Sequence, residues 1–168
     1  MQEQEVDFGE ANILDESADV VRVMTIHKSK GLEFPICFVC GLAKQFNQMD
    51  ARASILMDVE LGIGVDCIDP VMRTRRKTMR KNVVAQRMKE DTRGEDLRVL
   101  YVALTRAKEK LILTAYQGEK LDKKLSDRLY LTMENAQKLP FSVVMGSACY
   151  FDMILSALMR HRDMESLL

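Results

Sequence analysis

The stretch that decides the fold is Val20-Val21-Arg22-Val23-Met24-Thr25-Ile26-His27-Lys28-Ser29-Lys30-Gly31-Leu32-Glu33-Phe34-Pro35-Ile36-Cys37-Phe38-Val39-Cys40. Two apolar runs, residues 20–26 and 36–40, flank a polar loop. Each run is apolar on both alternating faces, the pattern of strands buried on two sides in a parallel sheet covered by helices. A third such run lies at 111–115. Parallel neighbours usually need a crossover of about a dozen residues, and only nine, His27 to Pro35, separate the first two runs. Either the connector is a tight loop with one helical turn, or the two strands are not adjacent.

Downstream, 42–70 carries Gly62 and Gly64 between short apolar pieces, an irregular hairpin that Pro70 ends. A long polar helix is expected from Thr74, weakened at Gly94 and resumed from Glu95 to Lys108. In its second half Leu97, Leu100, Tyr101 and Leu104 form a stripe expected to face the sheet. A strand over 110–115 follows. Residues 117–140 are polar and ambiguous. Beyond Ser147, Ala148, Phe151, Ile154, Leu155 and Leu158 share one helical face. The layout predicted is an acidic, mobile leading segment (1–19), a central α/β unit (20–116) and an extension with a terminal helix (117–168).

Hydrophobic residues make up 47% of the 168 and charged residues 30%, with a formal net charge of zero. That balance suits one globular domain and gives no bulk support to a dedicated nucleic-acid binder. The charge is uneven, however. Residues 1–21 hold seven acids and no cation, whereas Arg73 to Arg93 is strongly basic, which by itself reads as a solvated helix. No run approaches the ~20 apolar residues that span a bilayer, and cytoplasm is the expected location. Cys37 and Cys40 form a C-x-x-C inside a strand, where positions three apart face opposite ways, so they read as core residues in a reducing compartment and not as metal ligands. His27 and His161 belong to no ligand cluster.

The loop His27 to Glu33 reads as standing at the carboxyl end of a strand, where open α/β sheets bind ligands. Its lysines, serine and histidine could donate to phosphate oxygens, and Gly31 would allow close backbone approach. The plainer reading is a solvated loop. The second candidate is Leu104-Thr105-Arg106-Ala107-Lys108 at a helix end, where an arginine most often serves the helix itself; Arg98 reads as an ion-pair partner. The phosphate-cradling G-x-x-x-x-G-K-[ST] does not occur in the sequence, nor does an evident metal-dependent nuclease site.

Taken together, the two loops resemble a known family. Val21 to Pro35 resembles motif V of the UvrD/RecB-type superfamily-one DNA helicases, and Glu95-Asp96-Leu97-Arg98-Val99-Leu100-Tyr101-Val102-Ala103-Leu104-Thr105-Arg106-Ala107-Lys108 resembles their motif VI, in the family's order. Gly41-Leu42-Ala43-Lys44-Gln45-Phe46-Asn47, Leu61-Gly62-Ile63-Gly64 and Ile68-Asp69-Pro70 are similar to the AddA (RexA) type within that family. The resemblance implies part of a RecA-like second motor domain, a parallel sheet with flanking helices. It further implies that ATP with magnesium, in the full-length protein only, lies between this domain and an upstream first RecA-like domain. Glu33 and Gly31 would then meet the nucleotide, Arg106 would be the catalytic finger at the γ-phosphate, and Thr25, His27 and Lys30 would line the single-stranded DNA path. The implied partners are single- and double-stranded DNA and an AddB-like subunit, with an exonuclease domain elsewhere and a role in double-strand break repair. The alternative is a free-standing, non-catalytic DNA- or protein-docking module of the same fold.

Overall fold

The computed structural model describes residues 20–47, 49–116, 121–130 and 138–161. The acidic leading segment expected over 1–19 lies outside them. Two parallel strands, β1 (Phe34–Val39) and β5 (Ala107–Leu113), form one sheet. Three antiparallel strands, β2 (Ile55–Asp58), β3 (Gly62–Asp69) and β4 (Thr74–Lys77), form a second in the order β2-β3-β4. The helices are α1 (Met79–Leu104), α2 (Leu121–Ser126), α3 (Phe141–Gly146) and α4 (Tyr150–Leu158).

The β1–β5 register runs from Phe34 opposite Ala107 to Val39 opposite Leu113, and it slips by one between Phe34 and Ile36. Pro35 sits at the slip, where a residue without an N–H cannot extend the ladder. Only one face of β1 is covered. Val39 is buried in a core with Leu42 and Ala103, joined by Ile26, Leu111, Tyr150, Phe151 and Ile154. Ile36 and Phe38, on the opposite face, stay exposed at 52% and 66%, so the expectation of burial on both sides is corrected for this strand.

The expected strand over 20–26 does not form. An extended segment becomes a strand only when a neighbour takes up its hydrogen bonds, and no described strand pairs with it. Val21 and Val23 are fully open to solvent, and of this run Ile26 alone packs into the core.

The hairpin is more regular than expected. Ile55 pairs with Val65 and Asp58 with Gly62 without a bulge, and Asp58 closes the turn by accepting from the Glu60 and Leu61 amides at 2.9 and 2.7 Å. β4 is a correction: Thr74-Arg75-Arg76-Lys77 pairs with β3 where a helix was expected. The helix begins only at Thr78, whose hydroxyl accepts from the Lys81 amide at 3.2 Å and donates to the Val65 carbonyl at 2.6 Å. It then runs 26 residues through Gly94 without a break and stops at Leu104 instead of Lys108. α1 crosses β2 and β3, with Leu56 and Val84 at 2% and 0% exposure.

The buried row of α1 also differs from the expected stripe. Leu100 and Ala103 are buried, whereas Leu97, Tyr101 and Leu104 are exposed. Two further members of the inward row are polar, Arg93 and Asp96, 3.4 Å apart, and they hide it from a hydrophobic pattern. The basic stretch is therefore not wholly solvated. Arg93 is buried, stacks 4.0 Å over the Phe46 ring and donates to the Ser147 carbonyl at 2.9 Å. Phe46 meets Tyr150 edge-on at 4.9 Å, and the Phe151 amide donates to the Leu42 carbonyl at 2.9 Å, which fixes the predicted terminal helix on the loop after β1. Asp152, buried in α4, is 2.8 Å from the Lys124 ammonium and 3.3 Å from the Arg128 guanidinium, tying on α2.

Candidate nucleotide and DNA edge

Residues 26–31 form consecutive turns. The Ser29 amide donates to the Thr25 and Ile26 carbonyls, both at 3.2 Å, and the Leu32 amide to the Ser29 carbonyl at 3.1 Å. Because the expected strand over 20–26 does not form, the nine-residue segment connects no pair of described strands; it folds as consecutive turns that lead into β1. Ser29 is buried and its hydroxyl donates to the Ile26 carbonyl at 2.7 Å. Its expected service to a phosphate is thus corrected: Ser29 locks the loop. Gly31 adopts a φ of +84° with no atom within 4 Å of where a Cβ would stand, a left-handed backbone that favours glycine.

The loop leads into the amino end of β1, not away from the carboxyl end of a preceding strand, so that placement is corrected as well. Arg106 stands at the same edge, one residue before β5. Its carbonyl accepts from the Phe34 amide at 2.9 Å. Its guanidinium donates to the Leu32 carbonyl at 2.9 Å, the Val102 carbonyl at 3.0 Å and the Thr105 hydroxyl at 3.0 Å. Beside it, the exposed Glu33 carboxylate is 3.5 Å from the Lys108 ammonium. The fold therefore brings Glu33 and Arg106, far apart in sequence, to one sheet edge. Burial pushes the Cys37 thiol up, with the Arg106 guanidinium acting the other way.

Thr25, His27 and Lys30 lie exposed on the same loop, and the Thr25 hydroxyl accepts from the Lys28 amide at 3.3 Å. Arg98 pairs with Glu95, as its spacing suggests. Sequence reasoning missed Arg93, one wall of a polar cleft of about 220 Å³ bounded also by Phe46, Asn47, Thr92 and Asp96. Its aromatic partner lies 47 positions upstream, too distant for any local pattern to mark. Among the described residues no three His, Cys, Asp or Glu gather as metal ligands, and no helix is long and apolar enough to cross a membrane.

A mixed sheet-and-helix unit with two motif-bearing loops at one strand edge is the architecture of a helicase motor domain. The sequence profile of the UvrD-like helicase C-terminal domain matches residues 5–118, more than half the chain. The chain belongs to this family, and with it to the RecA-like helicase fold.

Over most of its length the chain is similar to proteins called the A subunit of the ATP-dependent helicase/nuclease. That of Clostridium beijerinckii is 46% identical over 157 residues, covering 94% of this chain and 12% of that protein. That of Bacillus thuringiensis subsp. konkukian is 45% identical over 165 residues, 96% of this chain and 13% of that protein. The Bacillus mycoides protein is 44% identical over 162 residues, with coverages of 96% and 13%. The chain thus spans only 12 to 13% of the length of the curated relatives it matches.

Proposed function

We propose that this chain is the part of an ATP-dependent DNA helicase/nuclease that closes one wall of the ATP cleft and joins it to the single-stranded DNA path. One observation carries the reading: Arg106 and Glu33 stand together at the amino edge of β1 and β5, where Arg106 bonds the residue next to Glu33. The residues suit one wall of a nucleotide site. Glu33 offers an exposed acceptor for ribose hydroxyls, Gly31 leaves open space beside the backbone, and Arg106 offers a planar fork for phosphate oxygens. The facing RecA-like domain would hold the β- and γ-phosphates. ATP with magnesium would supply the phosphoryl transfer that drives the step.

Each residue's role follows from its chemistry. Arg106 neutralises charge developing at the γ-phosphate oxygens. To do so its guanidinium leaves the Leu32 carbonyl, and the backbone it held belongs to the loop carrying Thr25, His27 and Lys30. Nucleotide state and DNA grip are thereby joined through one hydrogen bond. We assign the whole protein, on its likeness to those helicase/nucleases, an AddB-like partner, an exonuclease domain elsewhere, action on single- and double-stranded DNA in double-strand break repair, and a cytoplasmic location. The isolated chain, without a phosphate-cradling loop, is expected to hydrolyse no ATP.

The docking-module reading has one observation in its favour: each of the three guanidinium nitrogens of Arg106 already donates one hydrogen bond inside the chain, as a structural pin would, although two of its five N–H groups are not used by these bonds. Turnover separates the two. In the full-length enzyme Arg106→Ala should lower kcat by about 10³–10⁵ while ATP still binds, and Arg106→Lys should restore little. A kcat within about tenfold of wild type would refute the finger.

A further inference from the structure

The hairpin carries a charge distribution that neither the fold nor the nucleotide edge uses. From Val71 to Val83 the sequence holds six cations (Arg73, Arg75, Arg76, Lys77, Arg80 and Lys81) and no acid. Asp66 takes two of them, lying 2.6 Å from the Arg75 Nε and 2.9 Å from the Lys81 Nζ. Asp69 is turned into its own turn, where one carboxylate oxygen accepts from the Val71 and Met72 amides at 2.9 and 3.0 Å. Arg73, Arg76, Lys77 and Arg80 remain exposed, and none has an ion pair or side-chain hydrogen bond among the described residues.

These four surround one edge of the sheet. Arg73 stands in the turn before β4 with a φ of 46°. Arg76 and Lys77 lie on β4, one of the two edge strands of the antiparallel sheet, and by strand alternation point to opposite faces. Arg80 is in the first turn of α1. That position runs against local preference, because the N–H groups of a helix start carry partial positive charge and favour acids. The first turn of α1 holds no acid, and nothing within the described fold compensates Arg80. A local rule broken without an internal compensation marks a place shaped by something outside the fold.

We propose that β4, with the turn before it and the helix start after it, is a contact surface for the phosphate backbone of duplex DNA. The choice of DNA rests on the helicase reading above, but no residue of the surface belongs to the nucleotide edge. Single strands are held largely by bases stacked on aromatic side chains, and between Gly62 and Thr92 there is no Phe, Tyr, Trp or His. Duplex backbones need only cations spaced along phosphates. A protein partner would meet an apolar centre within a polar rim. Here the exposed apolar residues Val71, Met72 and Met79 lie at the two ends, in the turn and the helix start, and the β4 row between them is wholly polar and exposed.

The test compares this chain with its Arg73→Gln/Arg76→Gln/Lys77→Gln/Arg80→Gln variant, using labelled duplex and single-stranded DNA of about 20 nucleotides per strand, between 50 and 200 mM salt. Thermal melting confirms that the variant is folded. Four phosphate contacts give a slope near −3.6 in log K against log salt, about a hundredfold loss of duplex affinity across that range, and the variant should lose most of this slope. Single-strand binding through Thr25, His27 and Lys30 should change far less, and Lys30→Ala should show the reverse pattern. A variant that keeps the native duplex slope overturns the proposal, as does a native chain that binds duplex no better than the variant; in either case the helicase reading is judged separately by Arg106 turnover. Loss of poly-glutamate binding with duplex binding intact also overturns it, and assigns the edge to an acidic protein.

Discussion

Two glycines of this chain should respond to alanine with opposite signs. Gly64 lies in β3 beneath α1, and a Cβ built there would stand 2.7 Å from the Lys81 Cα and 3.2 Å from the Lys81 amide nitrogen. Both are backbone atoms, so no rotamer relieves the clash. Reaching ordinary contact at 3.4 Å from that Cα requires the helix to lift by about 0.7 Å. Such a lift stretches the 2.9 Å Lys81–Asp66 pair and loosens the packing of Val84 and Leu56, among the most deeply buried side chains. Overpacking of this kind costs about 1–3 kcal/mol. Gly94 sits mid-helix with no atom within 4 Å of its Cβ position. There alanine removes backbone freedom from the unfolded chain and should stabilise by about 1 kcal/mol. For a chain of this size each kcal/mol shifts Tm by about 2–4 °C, so Gly64→Ala should melt about 2–12 °C lower than wild type and Gly94→Ala about 2–4 °C higher. Urea titration followed by circular dichroism, with m-values compared, measures both. A Gly64→Ala chain as stable as wild type would refute the close approach of helix and hairpin.

Asp152→Asn should weaken the α2–α4 tie. The carboxylate is buried, but the Lys124 and Arg128 side chains keep 24% and 18% exposure, so the cost should be about 1–3 kcal/mol and not that of a fully buried pair. Burial alone would push the Asp152 carboxyl up; the Lys124 and Ala148 hydrogen bonds overcome it and hold the group below the usual carboxylate range. Its contribution is therefore complete above about pH 4 and is lost as pH falls through the lower native value. Urea melts at neutral and acid pH should show a smaller acid-induced loss in the variant, and equal losses would exclude the tie as a source. Cys40 and Cys67 are exposed, while Cys149 is buried and Cys37 half-buried. Burial raises both of the latter thiols, so a thiol-counting reagent should show two fast and two slow sites in the native chain. Four equal rates would contradict the packing around β1 and α4.

The parts of the fold legible in the sequence are those whose residues carry their own reason. β1 and the Leu111–Leu113 end of β5 are apolar, and α4 carries Phe151, Ile154 and Leu155 at helical spacing, whereas Ala107-Lys108-Glu109 lies ahead of the strand expected over 110–115 and joins β5 only by pairing with β1. The parts that were not legible depend on distant partners. Thr74-Arg75-Arg76-Lys77 has no strand-forming pattern and becomes β4 only through pairing with 66–69, a case of tertiary context overriding propensity. The inward row of α1 contains Arg93 and Asp96, which become buriable once they pair and Phe46 covers the guanidinium. The 20–26 run looks like a strand because its composition is right, but composition does not supply a neighbour. At the sheet edge, the motif residues were legible as members of two loops. That Arg106 reaches the Leu32 carbonyl was not, because that contact spans 74 positions.

The uninterrupted course of α1 has a mechanical consequence. Its 26 residues form a rod about 39 Å long at a rise of about 1.5 Å per residue. One end carries Arg80 beside the hairpin, and the other ends at Leu104, two residues before Arg106. A rod of this length tilted by about 5° about its centre moves each tip by about 1.7 Å, more than a hydrogen bond tolerates. A load taken up at the cationic edge would therefore arrive at the Leu32 carbonyl as the making or breaking of one bond. Gly94, close to the midpoint, is the residue of lowest helix propensity along the rod.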